Sequence, residues 1–356
     1  VREALLEVLC CPSCRGRLEL EAWEKVGPAV QEGALRCACG GRWPIVKGVP
    51  RLLPAGLMVE VASRHADFFR RHPELQPTAA GEAPPVTRRT LASFGDEWTR
   101  FPELFPEHER IFEWYFEGPA PVPWAGLRVL DAGCGMGRWL HFAAARGASV
   151  VGLDLSAAID VAAARGGDEA EFVQADLRSP PLADGSFDLV YSLGVLHHLE
   201  DPRPGVRALA RLVRPGGELR LYVYRTLDDE PWFRRALLGA VSQIRKATTR
   251  VPFSALHAFS AMVSAVATGA FLLPRRALRR WAWGERLTRG LPLVHYQDVP
   301  FRMLVAEQFD RFSAPLEGRH RREEVESWLR DAGLQVTAVL PGLGWRAVAR
   351  SVPPAA

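Results

Sequence analysis

The sequence has little net charge. Its 45 Lys and Arg are set against 41 Asp and Glu, a formal net charge of +4. That balance gives no footprint for nucleic acid. Cysteine is scarce, with six residues. Four of them, Cys11, Cys14, Cys37 and Cys39, lie close together near the N-terminus. This favours a metal site in a reducing compartment over a disulfide framework. The opening Val1-Arg-Glu-Ala-Leu-Leu-Glu lacks the apolar stretch of a secretory signal, so a cytoplasmic protein is expected. Hydrophobic residues make up 48% and charged residues 24%, enough apolar material for a full core. A chain of 356 residues suggests roughly two domains.

The chain is organised around Arg128-Val-Leu-Asp-Ala-Gly-Cys-Gly-Met-Gly137. Val129-Leu130 reads as a buried strand, and 138–146 reads as a helix. Between them, Gly133, Gly135 and Gly137 let the backbone turn tightly and approach a ligand closely. A second strand, 149–154, ends in Asp154, 23 residues beyond Asp131. An acid about 20 residues past such a turn is placed to hold a ribose diol. Further strands are expected at 171–177, ending near Asp176, at 187–192, ending at Ser192, and at 214–224. Strands alternating with helices indicate an open parallel α/β sheet. Ligands on such sheets sit beyond the carboxyl ends of the strands, where Asp131, Asp154, Asp176 and Ser192 fall.

The segments VLDAGCGMG, VGLDLS, FVQADL, FDLVYSLGVLHHL and LVRPGGELRLYVY, in this order, resemble a class I S-adenosylmethionine-dependent methyltransferase. The resemblance implies a Rossmann-like seven-stranded sheet with the last strand antiparallel. It implies S-adenosyl-L-methionine as cofactor, held by Asp131, Ala132, Gly133, Gly135, Gly137, Asp154, Leu155, Asp176, Leu177 and Ser192. In that pattern the turn from Asp131 to Gly137 packs on the methionine part. Asp154 takes the ribose hydroxyls, Leu155 flanks the adenine, and Asp176 accepts from its amine.

Cys11-Pro-Ser-Cys14 and Cys37-Ala-Cys39 place four thiolates on two tight turns, a donor set suited to structural zinc. Buried thiols without metal are the plainer alternative. A ribbon this small needs the ion's contribution to fold. The texts LLEVLCCPSCRGRLEL and LRCACGGRWPIVKGVPRLL resemble a bacterial zinc ribbon and the small partner subunit of tRNA and protein methyltransferases. The second turn here is C-x-C, where that pattern has C-x2-C. After it, a helix near 59–71 and a mobile loop near 76–87 are expected. SFGDEWTRF resembles a segment preceding related methyltransferase domains. Its Phe94, Trp98 and Phe101 either form a lid over the cofactor or pack the segment onto the core.

Residues 225–289 hold twelve Arg and Lys against four acids, an excess of eight that leaves −4 for the rest of the chain. Within them, the 24 residues from Val251 to Pro274 carry no Asp, Glu, Lys or Arg. Three readings stand: a buried helix of a cap, a helix lying in a membrane surface, or a membrane span. In the second, Arg275, Arg276, Arg279 and Arg280 face anionic lipid, with Trp281 and Trp283 at the interface. The first two imply a small, apolar or amphiphilic, lipid-like acceptor.

His197, His295 and Tyr296 are the candidate general bases, with His197 and His198 also open to a structural role. The domains expected are a zinc ribbon over 1–54, a helical connector and lid over 55–123 and a methyltransferase core over 124–225. A basic apolar cap insert over 226–313 and a C-terminal helix and last strands over 314–356 complete them. A non-catalytic scaffold, or an enzyme acting on RNA or protein, is the alternative; the intact Asp131, Asp154 and Asp176 weigh against the scaffold.

Overall fold

The structure is a computed structural model describing residues 1–77, 84–167, 170–289, 291, 293 and 296–352. Two sheets organise it. The first is antiparallel and four-stranded, with β1 (Leu18–Val26), β2 (Ala29–Cys37), β3 (Arg42–Val46) and β4 (Val49–Pro50) in sequence order. The second has seven strands: β5 (Arg128–Ala132), β6 (Ser149–Asp154), β7 (Ala170–Gln174), β8 (Phe187–Leu193), β9 (Val213–Tyr224), β10 (Leu334–Leu340) and β11 (Gly344–Ser351). Its order is β10-β11-β9-β8-β5-β6-β7. Strands β5 to β9 pair in parallel, whereas β11 runs antiparallel to both β9 and β10. This is the Rossmann-like seven-stranded sheet that the methyltransferase resemblance implied.

Apolar residues on both sides of each central strand bury the sheet on both faces. Along β5, Leu130 joins one core cluster and Val129 the other, as alternation along a strand requires. The Leu130 side also takes in Leu5, Leu9, Leu35, Ile45 and Leu52, so the ribbon shares its core with the sheet. The ribbon docks beside β7: Leu52 N–H donates to the Gln174 carbonyl at 2.9 Å, and Ala183 N–H to that of Val8 at 2.7 Å. This covers an edge strand that would otherwise offer unpaired backbone groups.

The helix expected near 59–71 is two helices, Ala55–Arg64 and Ala66–Arg71. They part at His65, whose Nε2 turns to Asp160 at 3.3 Å. The loop expected near 76–87 falls partly outside the described residues, and helix Pro85–Arg100 begins within its end.

The insert is helical: Trp232–Thr248, Phe253–Ala267, Leu273–Leu278 and Ala282–Thr288. The second and third are joined by a π turn, Thr268–Leu272, just before Pro274, whose missing N–H removes a rung of the ladder. Leu256, Ser260, Ser264 and Ala267 form its buried stripe, with Leu256 packed against Phe309 and Phe312 of helix Phe301–Ser313. By length and composition Phe253–Leu278 could cross a membrane, and 28% of its most apolar window is buried. A fully buried cap helix is therefore not what forms. One face packs on the protein and the other, carrying Met262, Val266 and Leu273, is exposed.

Candidate active site

The glycine turn leaves β5 where the strand order reverses, with β6 on one side and β8 on the other. This topological switch opens a crevice. Gly133 has φ +86°, and a Cβ there would come within 2.4 Å of the Val195 side chain. At Gly135, with φ +53°, a Cβ would lie 3.2 Å from Trp98 Nε1. Any larger residue at either position would be strained in the backbone and would close the space. Gly137 has another task. It starts helix Arg138–Ala144 and meets Ala162, so it serves helix packing and not the crevice.

Asp154 closes β6. Its carboxylate accepts from Gly135 N–H at 2.8 Å and from Ser156 N–H and Oγ–H at 2.7 Å each. Burial pushes its pKa up, and those donors oppose the shift. Asp131 is almost fully buried below the turn. It accepts from Tyr191 O–H at 3.1 Å, while its Oδ1 has no partner among the described residues. Burial, chiefly, pushes its pKa up to about 8. Asp176 is gripped by Arg178, whose Nη2 donates at 2.6 Å. Ser192 donates to the Ala132 carbonyl at 2.8 Å inside the sheet, so both residues tie β8 to β5.

One cavity of about 1670 Å³ follows the turn and continues to the insert. Gly133, Gly135, Asp154, Leu155, Asp176 and Leu177 line it; Asp131, Ala132, Gly137 and Ser192 do not. Its size exceeds the roughly 300–1,000 Å³ of an ordinary ligand pocket, leaving room for a cofactor and a second molecule. Away from it, the Sγ atoms of Cys11, Cys14, Cys37 and Cys39 lie within 4.8 Å of one another.

Residues 130–221 match the methyltransferase domain family, and residues 2–48 match the Trm112p-like protein family. The chain joins a Trm112p-like segment to a methyltransferase domain. It is 35% identical to the malonyl-[acyl-carrier protein] O-methyltransferase of Enterobacter lignolyticus, over 40% of this chain and 64% of that protein. To the ubiquinone biosynthesis O-methyltransferase of Alkalilimnicola ehrlichii it is 40% identical, over 32% of this chain and 48% of that protein. The chain thus spans about half to two thirds of these relatives' length. An O-methyltransferase family protein from Burkholderia thailandensis superposes with a TM-score of 0.41 at 18% identity, over 85% of this chain and 73% of the other.

The half of the cavity beyond the methyltransferase domain's turn is built by other elements. Trp98 of helix Pro85–Arg100 lies over Gly135, and Arg138 stacks on Trp98 and Trp139 at 4.8 and 4.4 Å. Of the three aromatic residues on that helix and its end, Phe94 and Trp98 line the cavity, whereas Phe101 packs with Leu256 and Phe309. Phe94 and Trp98 thus border the cavity, and Phe101 packs the segment onto the core. Arg138 Nη1 is 3.7 Å from Glu307, which accepts from Tyr296 O–H at 3.1 Å.

Of the candidate bases, Tyr296 lines the cavity and His295 lies outside the described residues. His197 corrects its expectation: it is fully buried, stacked on Tyr224 at 3.9 Å, and does not reach the cavity. Burial holds its pKa well below the usual value, so it stays neutral. Its neighbour His198 faces the cavity instead, with Nδ1 2.7 Å from the Leu316 carbonyl. Sequence reasoning passed over Glu97, Glu307 and Asp310, which also line the cavity. The available signal was an acid on the apolar face of each helix.

Proposed function

We propose that the protein transfers a methyl group from S-adenosyl-L-methionine to an amphiphilic acceptor presented at an anionic membrane surface. The observation that carries this is one continuous cavity, which runs from the glycine turn to Leu237, Leu238 and Val241 of an insert helix whose Trp232 is 74% exposed. The donor half fits the cofactor: glycines where a Cβ would intrude, an orphaned acid oxygen beneath, and Asp154 at the rim. When bound, the cofactor supplies an electrophilic methyl on a sulfonium centre. The chain's own residues align the partners and exclude water. Asp154 holds the ribose hydroxyls, Leu155 and Leu177 flank the adenine, and Asp176 accepts from its amine once Arg178 gives way. Asp131 steadies the turn with Tyr191. The relatives' printed names support oxygen as the methylated atom. Their acceptors do not carry over, because the family match covers residues 130–221 and the other half of the cavity is built largely by elements on either side of it.

Asp154→Ala should weaken cofactor binding by about 1.5–3 kcal/mol through lost charge-assisted hydrogen bonds, with the fold intact. Titration calorimetry measures this, and unchanged affinity removes the assignment.

The exposed apolar face supports the membrane part. Val266 is 61% exposed, Trp283 60% and Leu287 69%. The arginines sort differently from the sequence expectation. Arg275 is buried against Glu285, Gln297 and Thr288, and Arg279 pairs with Asp298 at 2.9 Å. The exposed Arg276, Arg280, Arg286 and Arg289 have no carboxylate partner among the described residues. At roughly 1 kcal/mol each near an anionic leaflet, these four contribute about 4 kcal/mol, near a thousandfold in partitioning. Sedimentation with phosphatidylserine-containing liposomes should be strong at low salt and weaker at high salt, because salt screens exposed charges. Glutamine at all four positions should reduce it while leaving cofactor affinity unchanged. A wild type that stays in the supernatant at low salt refutes the membrane reading. We place the protein on the cytoplasmic side, where four thiols remain available to zinc.

A further inference from the structure

We propose that Asp310, flanked by Glu97 and Glu307, takes the proton from a hydroxyl acceptor, of the phenol or enol class, as that oxygen is methylated. This rests on the methyl-transfer reading above. Three carboxylates meet on one wall of the cavity. Glu97 comes from helix Pro85–Arg100; Glu307 and Asp310 come from helix Phe301–Ser313, three residues apart and so on one face. Glu97 is 1% exposed, and its Oε2 has no partner among the described residues. Asp310 Oδ1 is likewise buried and unpartnered. Buried polar oxygens without donors are costly, and here they border a cavity where a ligand's O–H can satisfy them.

The surrounding charges favour a neutral acceptor over a cation. Glu97, Glu307, Asp310 and Glu317 are matched by Arg138, Arg311, Arg319 and Arg245. Glu317 pairs with both Arg245 and Arg319, and Arg138 lies near Glu307. Tyr115, Tyr222, Tyr224 and Tyr296 also face this wall, and Asp96 lies near Glu97. Glu307 already holds Tyr296, whereas the Asp310 carboxylate has no side-chain donor among the described residues. Glu97 also lacks a donor, but burial raises its pKa well above the usual carboxylate range and keeps it protonated, which leaves Asp310 as the member free to accept a proton. Burial, then Glu307 and Glu317, push its pKa up to about 7, where a general base works best near neutral pH. In the step itself, the acceptor oxygen bonds to the methyl carbon as the carbon–sulfur bond breaks. The sulfur keeps that electron pair, and the acceptor's proton passes to Asp310.

The test uses the full-length protein, labelled S-adenosylmethionine and two probe acceptors, 4-hexylphenol and 2-nitro-4-hexylphenol. The nitro compound ionises readily and needs little help from a base. Asp310→Asn should lower kcat on 4-hexylphenol by about 10²–10⁴-fold, the range for general-base catalysis, with KM little changed. Its loss on the nitrophenol should be less than tenfold, and Asp310→Glu should recover part of the rate. Wild-type kcat should rise with pH up to about 7 and then level, because the base must be ionised; the Asn variant should lack that limb. Equal losses on both phenols, or a retained limb, overturn the proposal, as does a wild type that methylates neither probe. Cofactor affinity by calorimetry separates the two readings: a wild type that fails to bind the methyl donor defeats the methyltransferase assignment itself.

Discussion

Arg51→Ala should destabilise the protein by about 3–5 kcal/mol, the range for removing one partner of a buried ion pair. Arg51 is fully buried, at 0% exposure. Its guanidinium donates to Gln174 Oε1 at 2.9 Å, to the Val46 carbonyl at 3.1 Å and to Asp160 at 2.5 Å. Without it, Asp160 keeps Arg64 and His65 but loses its innermost partner, and Gln174 loses a donor. The effect should reach the cofactor. Gln174 Nε2 donates to the carbonyls of Leu155 and Ser156 at 3.0 and 3.2 Å, which fixes the loop just beyond Asp154. Equilibrium denaturation of the variant measures the first effect and calorimetry with cofactor the second. A loss below about 1 kcal/mol would show that the network carries no more than an exposed ion pair does.

The same network has a pH signature. Burial works against ionisation of Asp160, but the approach of His65 at 3.3 Å and the charge and hydrogen bond of Arg51 outweigh it, holding the carboxyl well below its usual range. A depressed folded-state pKa adds stability above the unfolded value, roughly 4 for Asp. That contribution is lost as pH falls below this value toward the folded one. Arg51→Ala should therefore show a flatter loss of stability below about pH 4 than the wild type.

The half of the candidate site around the glycine turn was legible because its residues are local in sequence. A turn that must approach a ligand needs glycine at positions such as Gly133 and Gly135, and strand-ending acids such as Asp154 follow directly from the βα rhythm. The four cysteines were legible for the same reason. The finer roles were not. Ser192 and Ala132 end strands as the pattern requires, yet they face each other within the sheet. His197 and His198 share one short turn, and a single residue's rotation decides which faces the cavity. The acid wall lay further out of reach. Glu97, Arg138 and Asp310 are brought together from positions spread over more than half the chain, and no spacing rule links them. The basic excess of the insert was visible, but not that Arg275 and Arg279 are consumed by internal partners.

Replacing Cys11 and Cys39 together with serine should abolish metal binding and unfold the ribbon. The wild-type protein should carry one zinc per chain. The donor geometry fits it: Sγ of Cys11 and Cys39 are 3.6 Å apart, and those of Cys14 and Cys37 are 3.4 Å. Tetrahedral zinc with sulfur at about 2.3 Å sets neighbouring sulfurs about 3.8 Å apart, close to these two distances and inside the 4.8 Å that spans all four. Structural zinc contributes about 10–16 kcal/mol of apparent binding energy to small domains, far more than any single contact here. The consequence should not stop at the ribbon. Leu9, Leu35, Ile45 and Leu52 share a core with Val151 and Val173 of the seven-stranded sheet, and Leu52 pairs with Gln174 at its edge. A loosened ribbon would bare that face and edge, so the double variant should lose zinc, fall in denaturation midpoint and aggregate. Cys10 and Cys134 lie outside the cluster, both buried. Serine at either should leave the metal content at about one per chain. Elemental analysis with denaturant titration decides the matter: a metal-free wild type with a folded ribbon, or a double variant with undiminished zinc, would refute the assignment.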